Sequence, residues 1–379
     1  MKIALLCTEK LPIPPLAGGA IQLYIEGILP YLSNEHDVTV YSCAHPALPE
    51  EEIAGNVRYV RFPAEKKGQY IRHVMKSVSY GYDLIHVFNR PLWVLRIGEA
   101  LPSQKLSLSL HNEMFLPDKI TKQEAAACIR RVEFISTISR FIAGSVEKLY
   151  PDAKSKLHTV YSGADTSRFK PVWREEGLLE KTRLKEKYRL KNRKIILYVG
   201  RLSVKKGVHI LLSAMKEDLR SHPDAVLVII GSKWFGDNEE DEYTGSLRQL
   251  AEEMTGSVLF TGFLPPSEIY THYCLGDIFV CPSQWNEPLA RVQYEAMAAG
   301  LPIITTNRGG NAEIVRNQKN GFVIEDYNNP QAFACLIRQL LDHPELAGEL
   351  GKNGRRLTEE TFNWKRVARD VSELFTRSI

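Results

Sequence analysis

No apolar run in this 379-residue sequence approaches the roughly 18 residues that a helix needs to cross a bilayer, so no spanning helix is expected. The opening MKIALLCTEKLPIPP shows no small-residue cleavage pattern behind its short apolar run, and the expected location is the cytoplasm. The six cysteines (Cys7, Cys43, Cys128, Cys274, Cys281 and Cys335) contain no CxxC pair, which argues against zinc ligation or disulfides and for buried free thiols. Asp-x-Asp with divalent-ion spacing is missing too, so no metal is expected. A net charge of +4 with no basic–aromatic repeat speaks against nucleic acid, although it favours anionic partners such as sugar nucleotides or a membrane face. The remaining composition, 44% apolar and 25% charged, is that of a globular chain with room for two domains.

Short apolar runs separated by amphipathic stretches fill the first half: KIALLC, the helical Ala20 to Leu32, DVTVYS, VRYVRF, DLIHVF, KLSLSL and FISTIS. The second half repeats the scheme with KIILYVG, AVLVIIG, SVLFTGF, DIFVCPS, LPIITT and FVIED, separated by helices such as Gly207 to Met215 and Val292 to Ala299. Runs of Val, Ile and Leu alternating with helices predict parallel strands with crossover helices, an α/β class. Two doubly wound, Rossmann-like domains are expected, 1–175 and 176–360, with ligands beyond the C-terminal ends of the strands. The charged stretch Lys181 to Lys194, with Leu184, Tyr188 and Leu190, suits a short interdomain helix, and TFNWKRVARDVSELF predicts a last helix, 361–379, that returns to the first domain.

The densest information lies in SQWNEPLARVQYEAMAAGLPIITT. Glu287 falls in a turn set by Asn286 and Pro288, while Glu295 sits on a helical stretch with Val292, Met297 and Ala299. Two carboxylates placed this way can grip the ends of an extended polyhydroxylated ligand. Upstream, KIILYVG runs into GRLSVKKG, whose Gly200, Arg201, Lys205, Lys206 and Gly207 form a strand-to-helix loop suited to a diphosphate. Gly18 and Gly19 open another helix, where backbone N–H groups can approach an anion. KLSLSL ends in His111, Asn112 and Glu113, which puts a histidine at a strand's C-terminal edge, whereas His86 lies among apolar neighbours and reads as structural. Thr261 to Phe263, Arg308-Gly309-Gly310 with Glu313, and Asn320-Gly321 mark further loops. The glycine pair after LPIITT either presents N–H groups to a carboxylate or phosphate or simply ends the strand.

In this order, GGA, strand-HNE, GRLSVKKG, TGF, PSQWNEPLARVQYEAMAAGLPIITT, RGGNAEIV and NGF, the chain resembles the retaining glycosyltransferases of family four over nearly its whole length. The resemblance implies the GT-B architecture of two facing Rossmann-like domains. It implies that Arg201 and Lys206 hold the diphosphate of a nucleotide-sugar donor and that Glu295 contacts the ribose. Glu287 and His111 would lie by the reacting sugar, with Gly19 in the loop over the phosphates. Gly231 and Phe263 would border the base, and the acceptor would meet loops of the first domain near Arg72, Arg90 and Glu113. No cofactor beyond the nucleoside diphosphate-sugar substrate is implied. The family commonly has phenylalanine and glycine after Glu-Pro, where this sequence has Leu289, Ala290 and then Arg291, which bears on the donor-sugar pocket. TFNW and EPLAR are similar to a bacterial spore-coat subgroup, implying a spore-coat or peripheral membrane association. Rival readings are another enzyme on the same scaffold, a phosphorylase or epimerase, and a noncatalytic coat or scaffold protein.

Overall fold

The computed structural model describes residues 1–218, 221–233, 241–254 and 256–379. They divide into two compact units, Met1–Ser162 with Trp364–Ile379, and Gly163–Asn363.

The first unit is built on strands β1 (Lys2–Leu6), β2 (Asp37–Cys43), β3 (Glu51–Ala54), β4 (Val57–Phe62), β5 (Leu84–Phe88), β6 (Leu106–Leu110), β7 (Ile135–Thr137) and β8 (Leu157–Thr159). Their order in the sheet is β3-β4-β2-β1-β5-β6-β7-β8. Neighbours are parallel except for the β3–β4 hairpin. Central parallel strands are covered on both faces, so β5 and β6 are buried at every position and show no in–out alternation. Helix Ala20–Leu32 lays Ile21, Tyr24, Ile25, Ile28, Leu29 and Leu32 on the sheet at helical spacing. Into the same core pack Trp364, Val367, Val371 and Phe375 of the helix Trp364–Arg377. A Cβ on Gly27 would lie 2.3 Å from the Trp364 indole, so the glycine is what lets the indole seat there.

The second unit holds β9 (Lys194–Val199), β10 (Ala225–Ile230), β11 (Val258–Gly262), β12 (Ile278–Cys281), β13 (Ile303–Thr306) and β14 (Gly321–Ile324), in the order β11-β10-β9-β12-β13-β14. All of its pairings are parallel. The chain leaves β9 in one direction for β10 and β11, then returns to β12 on its other side. The winding reverses between β9 and β12, and in open parallel sheets ligands bind beyond the C-terminal strand ends at such a reversal.

The division at Ser162 and Gly163 corrects the boundary expected near residue 175, and the last segment begins at Trp364 rather than at 361. The reason is a buried guanidinium: Arg355 donates to the carbonyls of Thr166 at 2.9 Å, Phe169 at 2.7 Å and Ala298. Ala164 N–H adds a bond to the Phe362 carbonyl. Lys181 to Lys194 is not an interdomain helix either. Helix Glu175–Lys187 belongs to the second unit, with Leu184 buried and the Lys181 ammonium 2.5 Å from the Asp277 carboxylate. All six cysteines are free thiols and five are buried. Burial pushes Cys7 and Cys128 up to about 12, which keeps both protonated. No helix among the described residues is long and apolar enough to cross a membrane.

Candidate active site

Two loops meet at the reversal between β9 and β12. The first, after β9, makes a short 3-10 turn, Val204–Lys206, closed by Gly207 at φ +74° before helix Val208–Asp218 begins. A side chain at 207 would be strained by that left-handed backbone, and its Cβ would come within 1.9 Å of the Pro282 carbonyl oxygen. The second loop follows β12 and lies directly against the first. Gln284 N–H donates to the Lys205 carbonyl at 2.8 Å, and the Lys205 ammonium sits 5.1 Å from the centre of the Trp285 ring.

Glu287 is the hub of this contact. Its Oε2 accepts from Lys206 Nζ at 2.6 Å, Trp285 Nε1 at 2.7 Å and Ser283 Oγ at 3.2 Å. The residue is only 7% exposed, so a carboxylate there depends on these donors for its charge to be tolerated. Its main-chain carbonyl accepts from Gly310 N–H at 2.7 Å, and a Cβ on Gly309, at φ +62°, would lie 2.1 Å from that oxygen. Gly310 N–H therefore serves a backbone carbonyl, and the glycine pair is a buckle for the Glu287 loop. Ala290 N–H is likewise taken, by Asn311 Oδ1 at 3.0 Å.

Glu295 stands on the helix Arg291–Ala298 that follows. Tyr273 donates its hydroxyl to Oε2 at 2.7 Å and Arg291 Nη2 donates to Oε1, also at 2.7 Å. Burial first, and then the Glu295 charge, push the Tyr273 hydroxyl well above its usual range, so it stays a donor at neutral pH. On the other loop, the Arg201 carbonyl accepts from the Tyr198 hydroxyl at 2.8 Å. Tyr198 is itself pushed well above its usual range, by burial first, with the Glu287 charge adding and the Arg201 charge opposing. Gly231, at φ +139°, closes β10 beside β9, where a Cβ would meet the Gly200 carbonyl oxygen at 2.0 Å. Phe263 follows β11 and is partly buried, while Leu289 and Ala290 are buried.

The second unit thus carries Arg201, Lys206, Gly231, Phe263, Glu287, Leu289, Ala290, Arg291 and Glu295. His111 and Gly19 are in the first unit. His111 directly follows β6 and is 5% exposed; its backbone N–H donates to Asn89 Oδ1 at 2.9 Å, its Nε2 lies 3.2 Å from Ser109 Oγ, and its ring meets Tyr24 edge-on. Gly19, at φ +101°, rests on Gln22, whose Nε2 donates to the Leu11 carbonyl at 3.1 Å and shapes the glycine loop from beneath. Arg90 forms a two-pronged pair with Glu9, both bonds 2.9 Å, whereas Arg72 is exposed and Glu113 partly so. Sequence reasoning missed Tyr273, Ser283, Trp285 and Asn311. Ser283 and Trp285 precede Glu287 by four and two residues on one loop, a spacing that could have flagged them; Tyr273 and Asn311 carry no local signal.

Comparison with known proteins places the chain in a family. The model of glycosyl transferases group 1 matches residues 180–357, and that of glycosyltransferase family 4 matches residues 21–168. Spore coat protein SA of Bacillus subtilis (strain 168) is 44% identical over 378 residues, covering 100% of both chains. The GDP-mannose-dependent alpha-(1-6)-phosphatidylinositol monomannoside mannosyltransferase of Mycolicibacterium smegmatis is 26% identical over 387 residues, covering 96% of each. The crystal structure of the Anabaena protein HepE in complex with UDP-glucose superposes with a TM-score of 0.78 at 20% identity over 100% of both chains, a likeness of fold. With GT-B relatives along its full length and a family model matched in each half, the chain belongs to the glycosyl transferases of group 1, family four.

Proposed function

We propose that the protein transfers a sugar from a nucleoside diphosphate-sugar to an acceptor hydroxyl with retention of anomeric configuration. The observation that carries this reading is the Lys206–Glu287 pair, 2.6 Å apart at the winding reversal, with Arg201 on the same loop as Lys206. In the reaction the bond from the anomeric carbon to the diphosphate oxygen breaks and a bond to the acceptor oxygen forms. The acceptor's proton passes to the departing diphosphate on the same face of the sugar, so no enzymic nucleophile is needed. What the protein must supply is stabilisation of charge growing on the leaving group, which a guanidinium and an ammonium held beside a helix N-terminus provide. In this reading Lys206 and Arg201 neutralise the diphosphate and need no metal. Glu287 orients Lys206 and accepts from sugar hydroxyls, and Glu295 accepts from the ribose. His111 lies by the reacting sugar and Gly19 in the loop over the phosphates. Gly231 and Phe263 border the base.

The donors in the names of the relatives, UDP-glucose and GDP-mannose, set the first substrates to try. Donor hydrolysis measured against UDP-, GDP-, ADP- and TDP-sugars should reveal turnover with at least one. Lys206→Ala should lower that turnover by about a hundredfold or more. Turnover within a few-fold of the original in a folded variant would remove the leaving-group role. A second reading, a noncatalytic coat protein that keeps the fold, is favoured by the name of the 44% identical relative. It expects nucleotide binding with no hydrolysis of any of the donors.

A further inference from the structure

Glu295 is unusual among the site carboxylates in having a separate donor on each oxygen. Tyr273, itself fully buried, reaches Oε2 from the turn that precedes β12, and Arg291 reaches Oε1 from one helical turn earlier on the same helix. The Arg291–Glu295 spacing of four residues lets the pair form without distorting the helix, and both side chains are largely buried, at 17% and 10% exposure. A carboxylate held at one oxygen can swing about its terminal torsion. Held at both, it has a fixed plane and one defined acceptor direction left on each oxygen.

We infer that Arg291 and Tyr273 are positioning residues that set the Glu295 carboxylate to accept the two vicinal hydroxyls of a ribose, and so make the site discriminate ribonucleotides from deoxyribonucleotides. The inference rests on the reading of Glu295 as the ribose contact and assigns a purpose to Arg291, which stands where the family pattern gave no reason for a cation. Two adjacent hydroxyls meet two oriented oxygens; a 2′-deoxy sugar leaves one charged oxygen with its protein donor alone and without the second hydrogen bond that the ribose adds. Losing a hydrogen bond to a charged acceptor in a partly desolvated site costs roughly tenfold or more in affinity.

The test is calorimetric titration of the full chain with UDP and 2′-deoxy-UDP, and with GDP and 2′-deoxy-GDP. The original protein should prefer the ribo form of whichever base it binds by about tenfold or more. Arg291→Leu and Tyr273→Phe, each checked for folding by its thermal melt, should bring that ratio to within about threefold of unity, and Arg291→Lys should keep most of it. If either of the first two variants is folded and retains the original ratio, or loses both forms in equal proportion, the positioning role is overturned while the nucleotide site stands. If the original protein binds none of UDP, GDP, ADP and TDP, the site reading falls and this inference falls with it.

Discussion

A single oxygen, Oε2 of Glu287, is shared by an ammonium, an indole N–H and a hydroxyl. Glu287→Gln keeps the shape and removes the charge, so the Lys206 ammonium loses its ionic partner and, under the proposed function, the sugar loses a strong acceptor. Turnover of the donor should fall by about a hundredfold, with nucleoside diphosphate affinity changed far less, as read by hydrolysis and titration on the same preparation. His86 illustrates the opposite case, a polar residue enclosed in the core of the first unit. It is buried within β5, its Nδ1 lies 2.8 Å from Ser107 Oγ, and burial, followed by the His111 charge, lowers its value to about 3. The folded state keeps it neutral where the unfolded chain, at its ordinary 6.5, takes up a proton. Stability should therefore drop as pH falls from about 6.5 toward 3, by about 2 kcal/mol at pH 5, and His86→Gln should flatten that slope in urea titrations. The burial of His86 was legible from its apolar neighbours, and the placing of Glu287 on a loop from its flanking Asn286 and Pro288. Tyr273 was not, because its partner Glu295 is 22 residues away and only folding brings them together.

At the scale of elements, the loops around the site depend on close backbone approach more than on side-chain packing. Gly207→Ala must both relieve a left-handed backbone and separate the β9 loop from the Pro282 carbonyl. A loss of about 3 kcal/mol or more is expected, seen as a lower urea midpoint together with weakened nucleotide binding. Buried parallel strands were readable because their apolar runs need no alternation. Strand β3 was not, since Glu51-Glu52-Ile53-Ala54 has no strand pattern of its own and forms by pairing with β4, where Arg58 meets Glu51 and Arg61 meets Glu52. The three-residue β8 was likewise too short to stand out. The RGGN buckle was visible as glycines, but its target, the Glu287 carbonyl, could be known only from three dimensions.

For the whole molecule, the sequence showed two α/β halves and a last helix that rejoins the first, and missed where one half stops. Residues 163–174 were expected within the first domain, yet Arg355, more than 180 positions downstream of Phe169, straps them to the second unit. Arg355→Ala would orphan three carbonyls at once and should cost about 3–5 kcal/mol in chemical denaturation. Removing residues 364–379 should act on the other unit, stripping Trp364, Val367, Val371 and Phe375 from its core. A melting temperature lowered by several degrees or more is expected, in which the fluorescence or exchange of residues 1–162 changes first.

That same helix dictates a birth order. Gly163–Asn363 is one uninterrupted stretch and can complete itself as it leaves the ribosome, whereas the earlier-made half must wait, its hydrophobic surface unroofed, until Trp364 to Phe375 has been translated. The half made first matures last, so a premature stop ahead of Trp364 would damage the oldest part of the polypeptide.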